Sequence, residues 1–129
     1  MSSLVKVLII VVLLFPMVGE AADGSAVMGA GSRTCAEFAK DYQQTPTYSE
    51  QFYFAWAQGF MSAHNFFMVA GKQMANLNPP VYDLGTQMAH IRRFCDQRPL
   101  ALYMEAVMEL IDVLRTRQVL LDWRTLRQR

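Results

Sequence analysis

The chain has 129 residues, a formal net charge of +1 and 53% hydrophobic residues. This length is enough for one domain with one core and too short for several, and a core of this size needs an additional constraint such as a disulfide. The net charge says little about partners by itself, although positive charge is concentrated near the C-terminus.

The N-terminal stretch "MSSLVKVLIIVVLLFPMVGEAA" predicts a secretory signal peptide over residues 1–21. Its apolar run, residues 7–18, is interrupted by Pro16 and is shorter than the roughly 20 apolar residues that a membrane-spanning helix needs. We therefore expect cleavage near Ala21 or Ala22 and a periplasmic or secreted product. An uncleaved membrane anchor is the alternative.

Residues 22–33, "ADGSAVMGAGSR", are small and polar and predict a flexible N-terminus of the mature protein. The "GAGS" within this segment has neither the preceding strand nor the following lysine of a phosphate-binding loop. We interpret the segment as a linker.

Thr34 predicts the N-cap of a first short helix, in which Cys35, Phe38 and Tyr42 form one apolar stripe. A second, long helix is predicted from about Tyr48, because Thr47 and Glu50 have the spacing of a capping box.

The long helix has two apolar stripes on a helical wheel. We expect the broader one to face the core: Phe52, Trp56, Gly59, Phe60, Ala63 and Phe67. Phe54, Met61 and Met68 form the second stripe, which either makes the helix central, covered on both sides, or binds a partner. Polar residues near the helix centre argue against a membrane span.

A third helix is predicted from Asp83 or Leu84, and its core stripe includes Cys95. A fourth is predicted to start near Asp96 and Pro99, with Leu100 and the following apolar positions facing inward. Residues 116–129 are predicted to form a basic C-terminal helix or tail. The arginines from the end of the fourth helix onward are Arg115, Arg117, Arg124, Arg127 and Arg129.

Cys35 and Cys95 are the only two cysteines. In a small exported domain such a pair predicts a disulfide, here between the first and third helices. Two free thiols, or half of a metal site, are the alternatives, although the sequence contains no CxxC motif.

Candidate catalytic groups are sparse. His64 and His90 are the only histidines, and neither has a Ser, Cys or paired carboxylate at a spacing that suggests a nucleophile or an acid-base pair. We expect no enzyme activity, no metal and no cofactor.

Four stretches in sequence, "TCAEF", "WAQGFMSAHN", "IRRFCDQRPL" and "AVMELIDVLR", resemble the HdeA/HdeB-like group of small periplasmic helical proteins over residues 34–115. The resemblance implies a compact bundle with a disulfide between Cys35 and Cys95. It also implies a periplasmic chaperone that partly unfolds at low pH and holds clients through apolar surface. The "WAQGF" helix is somewhat similar to periplasmic immunity proteins that neutralise secreted cell-wall amidases.

The sequence thus predicts an exported all-α bundle of four or five helices held by one disulfide. Its predicted function is chaperone-like or acid-stress binding of protein clients, and the alternative is an immunity or inhibitor protein for one secreted effector enzyme. A homodimer and weak contact of the C-terminal tail with anionic lipid are further expectations, whereas nucleic acid is not an expected partner.

Overall fold

The computed structural model describes residues 26–68 and 74–127, with only the backbone of residues 119–126. Within these residues, a short 3-10 helix, Gly29–Ser32, precedes four α-helices. The α-helices are α1 (Cys35–Gln44), α2 (Pro46–Phe67), α3 (Leu84–Gln97) and α4 (Tyr103–Arg127). The predicted all-α fold is confirmed for these residues. The predicted signal peptide and its cleavage site lie outside them.

Helix α1 begins at a capping box. The Glu37 backbone N–H donates to the Thr34 hydroxyl, and the Thr34 backbone N–H donates to the Glu37 carboxylate at 2.8 Å. The hydrogen bonds that the Glu37 carboxylate accepts from the Thr34 backbone N–H and the Thr34 hydroxyl hold the pKa of Glu37 below its usual value. The helix buries Cys35 and Phe38, as the sequence predicts.

Helix α2 begins earlier than the sequence predicts. Its first residue is Pro46, which suits the first turn because proline lacks the N–H that would have no partner there. The expected capping box of Thr47 and Glu50 is therefore wrong. The Glu50 carboxylate instead forms an ion pair with Arg92 of α3.

Helix α3 begins where the sequence predicts, because the Asp83 carboxylate accepts a hydrogen bond of 2.8 Å from the Thr86 N–H. Its inward face includes Ile91, Phe94 and Cys95. The described part of the connection from α2, residues 74–83, is not helical.

The predicted start of the fourth helix near Pro99 is wrong, since α4 begins at Tyr103. The intervening turn instead supplies acceptors to the start of α1. The Cys35 N–H donates to the Ala101 carbonyl at 2.8 Å, and the Ala36 N–H to the Pro99 carbonyl at 2.9 Å. The turn thus satisfies N–H groups of the first turn of α1, which have no partner within that helix. Leu100, predicted to face inward, is 89% exposed.

The Cys35–Cys95 disulfide is present and confirms the predicted pairing. It joins the first residue of α1 to the last turn of α3, with the two α-carbons 4.7 Å apart. The bond and the turn before α4 therefore fix the same end of α1.

The core is aromatic near this end and aliphatic along α4. The Phe38 ring lies 4.8 Å from that of Tyr53 and 5.2 Å from that of Tyr103. Burial raises the pKa of the Tyr103 hydroxyl well above its usual value. Over residues 103–118 of α4, the other buried residues are Ala106, Val107, Leu110, Ile111 and Leu114. Helix α4 continues without a break to Arg127, so the predicted boundary at residues 115–116 is not a structural one.

The segment predicted to be a flexible linker is structured over residues 29–32. Ala30 and Gly31 are buried, and the indole N–H of Trp56 donates to the Met28 carbonyl at 3.0 Å. The sequence alone did not indicate this contact, because small residues bury little surface unless a large neighbour covers them.

Candidate functional site

One whole face of α2 is exposed to solvent. At 100° per residue, six exposed positions fall within about 40° of Gly59 on the helical wheel. They are Tyr48, Phe52, Ala55, Gly59, Ala63 and Phe66. We call this surface the Gly59 face.

The ends of the Gly59 face are aromatic and its middle is small. Tyr48 and Phe52 stack with ring centroids 6.3 Å apart, and they are 71% and 55% exposed. At the other end, Phe66 is 83% exposed and packs edge-on against Phe67 at 5.5 Å. At Gly59, a β-carbon would have no heavy atom within 4 Å. The face is therefore a shallow saddle that a second apolar surface can approach closely.

The Gly59 face has no formal charge. Between Glu50 and Lys72 the sequence contains no Asp, Glu, Lys or Arg. Binding there would rest on apolar burial and aromatic packing rather than on ion pairs. Contiguous exposed apolar surface of this kind marks an interaction site in soluble proteins.

The predicted partner stripe lies on the opposite side of α2. Phe54 is buried and Met61 is only 1% exposed, both within the core, while Met68 is half-buried. The interpretation of this stripe as an exposed partner surface is therefore wrong for the folded domain, and the central-packing alternative describes Phe54 and Met61. Binding of a partner by these residues in a loosened state stays a prediction.

The predicted core face of α2 is also wrong. Trp56 and Phe60 are half-buried at its edge and stack on each other at 5.3 Å, but Phe52, Gly59, Ala63 and Phe67 are exposed. Because both stripes are apolar, periodicity alone could not decide which one the rest of the domain covers. Three residues of the Gly59 face were not predicted from the sequence to be functional or to lie on either apolar stripe: Tyr48, Ala55 and Phe66. The absence of Asp, Glu, Lys and Arg between Glu50 and Lys72 was the feature of the sequence that could have indicated this exposed apolar face.

A cleft of about 590 Å³ adjoins the Tyr48 end of the Gly59 face. Phe52 and Tyr48 form part of its wall, and Arg33, Asp41 and Tyr53 contribute polar groups. The Tyr53 hydroxyl donates to the Asp41 carboxylate at 2.8 Å, and Arg33 contacts the same carboxylate at 3.4 Å. Burial, followed by this hydrogen bond, raises the pKa of Tyr53.

A smaller cleft of about 380 Å³ lies at the other end of α2, lined by Phe60, Ala63, His64, Phe67 and Met68. The chain beyond this end is held by Asn65. Its side-chain amide donates to the Ala75 carbonyl at 2.8 Å and accepts from the Ala75 N–H at 3.0 Å. These two bonds fix where the connection to α3 returns to the domain.

His90 is a structural residue of the α3–α4 contact. It is 6% exposed, with its Nδ1 atom 2.9 Å from the Tyr82 hydroxyl. The Arg93 guanidinium lies 3.3 Å from the same ring nitrogen, and a Glu109 carboxylate oxygen lies 3.4 Å from Nε2. Burial lowers the pKa of His90, and Glu109 partly opposes this shift.

The arginines of the predicted basic tail have different surroundings. Arg115 is half-buried and lies 3.6 Å from Asp112, and the Arg117 guanidinium lies over the Tyr82 ring at 4.5 Å. Arg127 is exposed. The Arg124 side chain and Arg129 lie outside the described residues.

Over residues 26–68 and 74–127, no group of three or more His, Cys, Asp or Glu side chains is placed to hold a metal ion. Among the helices described, none combines the length and the apolar content needed to cross a bilayer.

Comparison of the chain with protein-family models, with curated proteins and with solved structures finds no match. The resemblance to the HdeA/HdeB-like group therefore stays a prediction from the sequence, and the physical properties of the Gly59 face carry the functional argument.

Proposed function

We propose that this chain is an exported, chaperone-like binding protein that holds apolar segments of other proteins on the Gly59 face. The observation that carries the proposal is the large exposure of Phe52 and Phe66 on a helix face without formal charge. Exposing several aromatic rings is unfavourable for a monomer unless they have a binding role. An uncharged, shallow surface suits clients that share apolar character rather than one sequence.

Further support comes from the packing of α2 in the domain and from the disulfide. Phe54 and Met61 bury the opposite side of α2 in the core, and at one end of the face the Phe52 ring packs edge-on against the core residue Tyr53 with ring centroids 5.8 Å apart. A disulfide also fits the oxidising compartment to which the predicted signal peptide would direct the chain. This protein would thus present a rigid helix rather than a disordered segment to its clients.

The test is suppression of client aggregation. The oxidised protein is added to two unrelated aggregating clients, reduced insulin and a heat-denatured enzyme, and light scattering is followed at pH 7 and at pH 3. We expect wild type to delay scattering of both clients, and the double variant Phe52→Ser, Phe66→Ser to lose most of this effect. Leu100→Ser is the control, because Leu100 is even more exposed than Phe52 and Phe66 but lies on the turn before α4.

Protection by wild type and by both variants alike would place client binding elsewhere on the chain. Absence of protection by wild type at both pH values would overturn the chaperone-like function. Protection confined to pH 3 would support the acid-stress form of the proposal.

A second candidate function is immunity or inhibition directed at one secreted enzyme. It is favoured by the cleft beside Phe52, where Arg33, Asp41 and Tyr53 form an ordered polar group next to an apolar surface. Interfaces with one cognate partner combine an apolar centre with such a polar rim. A single stoichiometric complex, weakened by Arg33→Ala in sedimentation experiments, would favour this candidate over general client binding.

A further inference from the structure

The Gly59 face is symmetric about its central glycine. Ala55 and Ala63 each lie four residues from Gly59, and Phe52 and Phe66 each lie seven residues from it. The sequence of this face therefore has the same order of side chains in both directions: aromatic, small, glycine, small, aromatic. All five residues are exposed.

We propose that a second copy of this chain binds the Gly59 face, so that two α2 helices cross antiparallel at Gly59 about a two-fold axis. This inference rests on the proposed function only in taking the Gly59 face as a binding surface, for which a second copy and a client would compete. A two-fold interface places each residue opposite its symmetric counterpart. Ala55 of one copy would lie opposite Ala63 of the other, and Phe52 opposite Phe66.

The shape of the face fits this arrangement. Small residues at every fourth position allow two helix backbones to approach closely, and the space around Gly59 holds no heavy atom within 4 Å of a β-carbon. The aromatic rings at both ends would then pack against those of the second copy, which favours offset or edge-on contacts. A parallel arrangement would place Phe52 opposite Phe52, so it would not depend on the equal spacing of side chains on the two sides of Gly59.

The charge of the face also favours a second copy over a strongly charged partner. Self-association places like charges opposite each other wherever a face is charged, and this face has no formal charge between Glu50 and Lys72. The domain nevertheless has charged residues elsewhere, including Arg92, which pairs with Glu50 at the side of α2. The uncharged surface is therefore local to this helix.

The available area is that of a weak dimer. Tyr48, Phe52 and Phe66 are 71%, 55% and 83% exposed. Since an aromatic side chain presents roughly 150–250 Å², these rings and the small residues between them offer about 500 Å² per copy. A standard interface buries about 800 Å² per partner. Interfaces that bury less than about 1,200 Å² in total belong to weak, transient complexes, so we expect a micromolar dissociation constant, on the order of 10 µM.

Sedimentation of the oxidised protein, expressed with its complete N-terminal sequence, tests whether the dimer forms. We expect wild type to dimerise at pH 7 and Gly59→Glu to weaken association roughly 100-fold, because two carboxylates would meet at the axis. Gly85→Glu is the matched control. Gly85 is an exposed helical glycine on α3, where a β-carbon would make only an ordinary contact, 3.6 Å from the Asp83 carboxylate. Circular dichroism checks that both variants fold.

Crosslinking tests the direction of the pairing. Ala55→Cys and Ala63→Cys proteins are mixed and treated with a short bis-maleimide, which leaves the native disulfide intact. An antiparallel pair yields the mixed product in excess over the product of either variant alone. An excess of the products of single variants would overturn the antiparallel geometry.

Wild type that stays monomeric up to about 100 times the expected dissociation constant would overturn the dimer, as would a dimer unaffected by Gly59→Glu. Aggregation assays separate this inference from the proposed function. Protection of clients by a strictly monomeric wild-type protein would overturn the dimer alone. A Gly59-dependent dimer that protects no client at either pH would support the dimer and overturn the proposed function.

Discussion

Gly31 lies directly against the indole ring of Trp56, and a β-carbon at residue 31 would overlap that ring. The indole also donates its N–H to the Met28 carbonyl at 3.0 Å. These two contacts pack the 3-10 helix onto α2. Because Trp56 lies at the edge of the Gly59 face, the same contacts help to hold the orientation of that face.

We expect Gly31→Ala to destabilise the fold by about 1–3 kcal/mol, because the methyl group overpacks the contact with Trp56. Gly59→Ala is the matched variant, and we expect it to stabilise the fold by about 0.5–1 kcal/mol, because it improves helix propensity in open space. Urea unfolding, followed by circular dichroism, measures both. Equal effects of the two substitutions would contradict the packing of the 3-10 helix.

The assignment of the two α2 stripes has an equally direct test. We expect Met61→Ala to destabilise the protein by about 2–5 kcal/mol, because it creates a cavity in the core. Phe66→Ala should change stability by less than about 0.5 kcal/mol under conditions where the protein is monomeric, because its ring is exposed. If Phe66→Ala proved the more damaging substitution, the buried side of α2 would be the one that periodicity predicted.

His90 should make stability depend on pH in the mildly acidic range. Since burial lowers its pKa below the usual 6.5, the unfolded chain binds this proton more readily than the folded one. The stabilising contribution of neutral His90 to the free energy of unfolding is therefore complete above pH 6.5. It is lost as the pH falls from 6.5 through the lower pKa of His90 in the folded state. Glu109 opposes the shift, and Arg93 and Arg117 reinforce it.

Unfolding in urea between pH 5 and pH 8, with wild type and His90→Gln compared, checks this expectation. We expect the substitution to flatten the pH dependence, whatever its effect on absolute stability. His64→Gln leaves His90 in place and is the control. A slope that survives in His90→Gln would assign the pH dependence to another group.

The disulfide should contribute a large part of the stability. It closes a sequence separation of 60 residues and joins α1 to α3 at the end where the aromatic core begins. We expect the double variant Cys35→Ser, Cys95→Ser to lose about 2–5 kcal/mol. Thermal unfolding of the variant, with reduced wild type as the control, measures this loss. The two proteins should agree, and a reduced wild type as stable as the oxidised one would contradict the prediction.

The sequence predicted the two helix caps, which depend on neighbouring residues, and the pairing of Cys35 with Cys95, which depends on the cysteine count. Thr34 and Asp83 were identifiable as N-caps because a short polar side chain reaches the N–H of the third residue after it. The disulfide was identifiable because a single pair of cysteines in a small domain that is predicted to be exported usually forms one. The start of α4 was missed, because the carbonyls of Pro99 and Ala101 are used by α1, a contact distant in sequence.

The sequence by itself determined that the described part of the chain is helical, roughly where its four α-helices lie, and that α2 has more apolar surface than one neighbour can cover. Only the tertiary structure decided which side of α2 is buried. Phe54 and Met61 meet the core, whereas Phe52 and Phe66 meet solvent, although all four are apolar and regularly spaced. Periodicity describes the faces of an isolated helix, but burial depends on where α1, the 3-10 helix and α4 place their own surfaces.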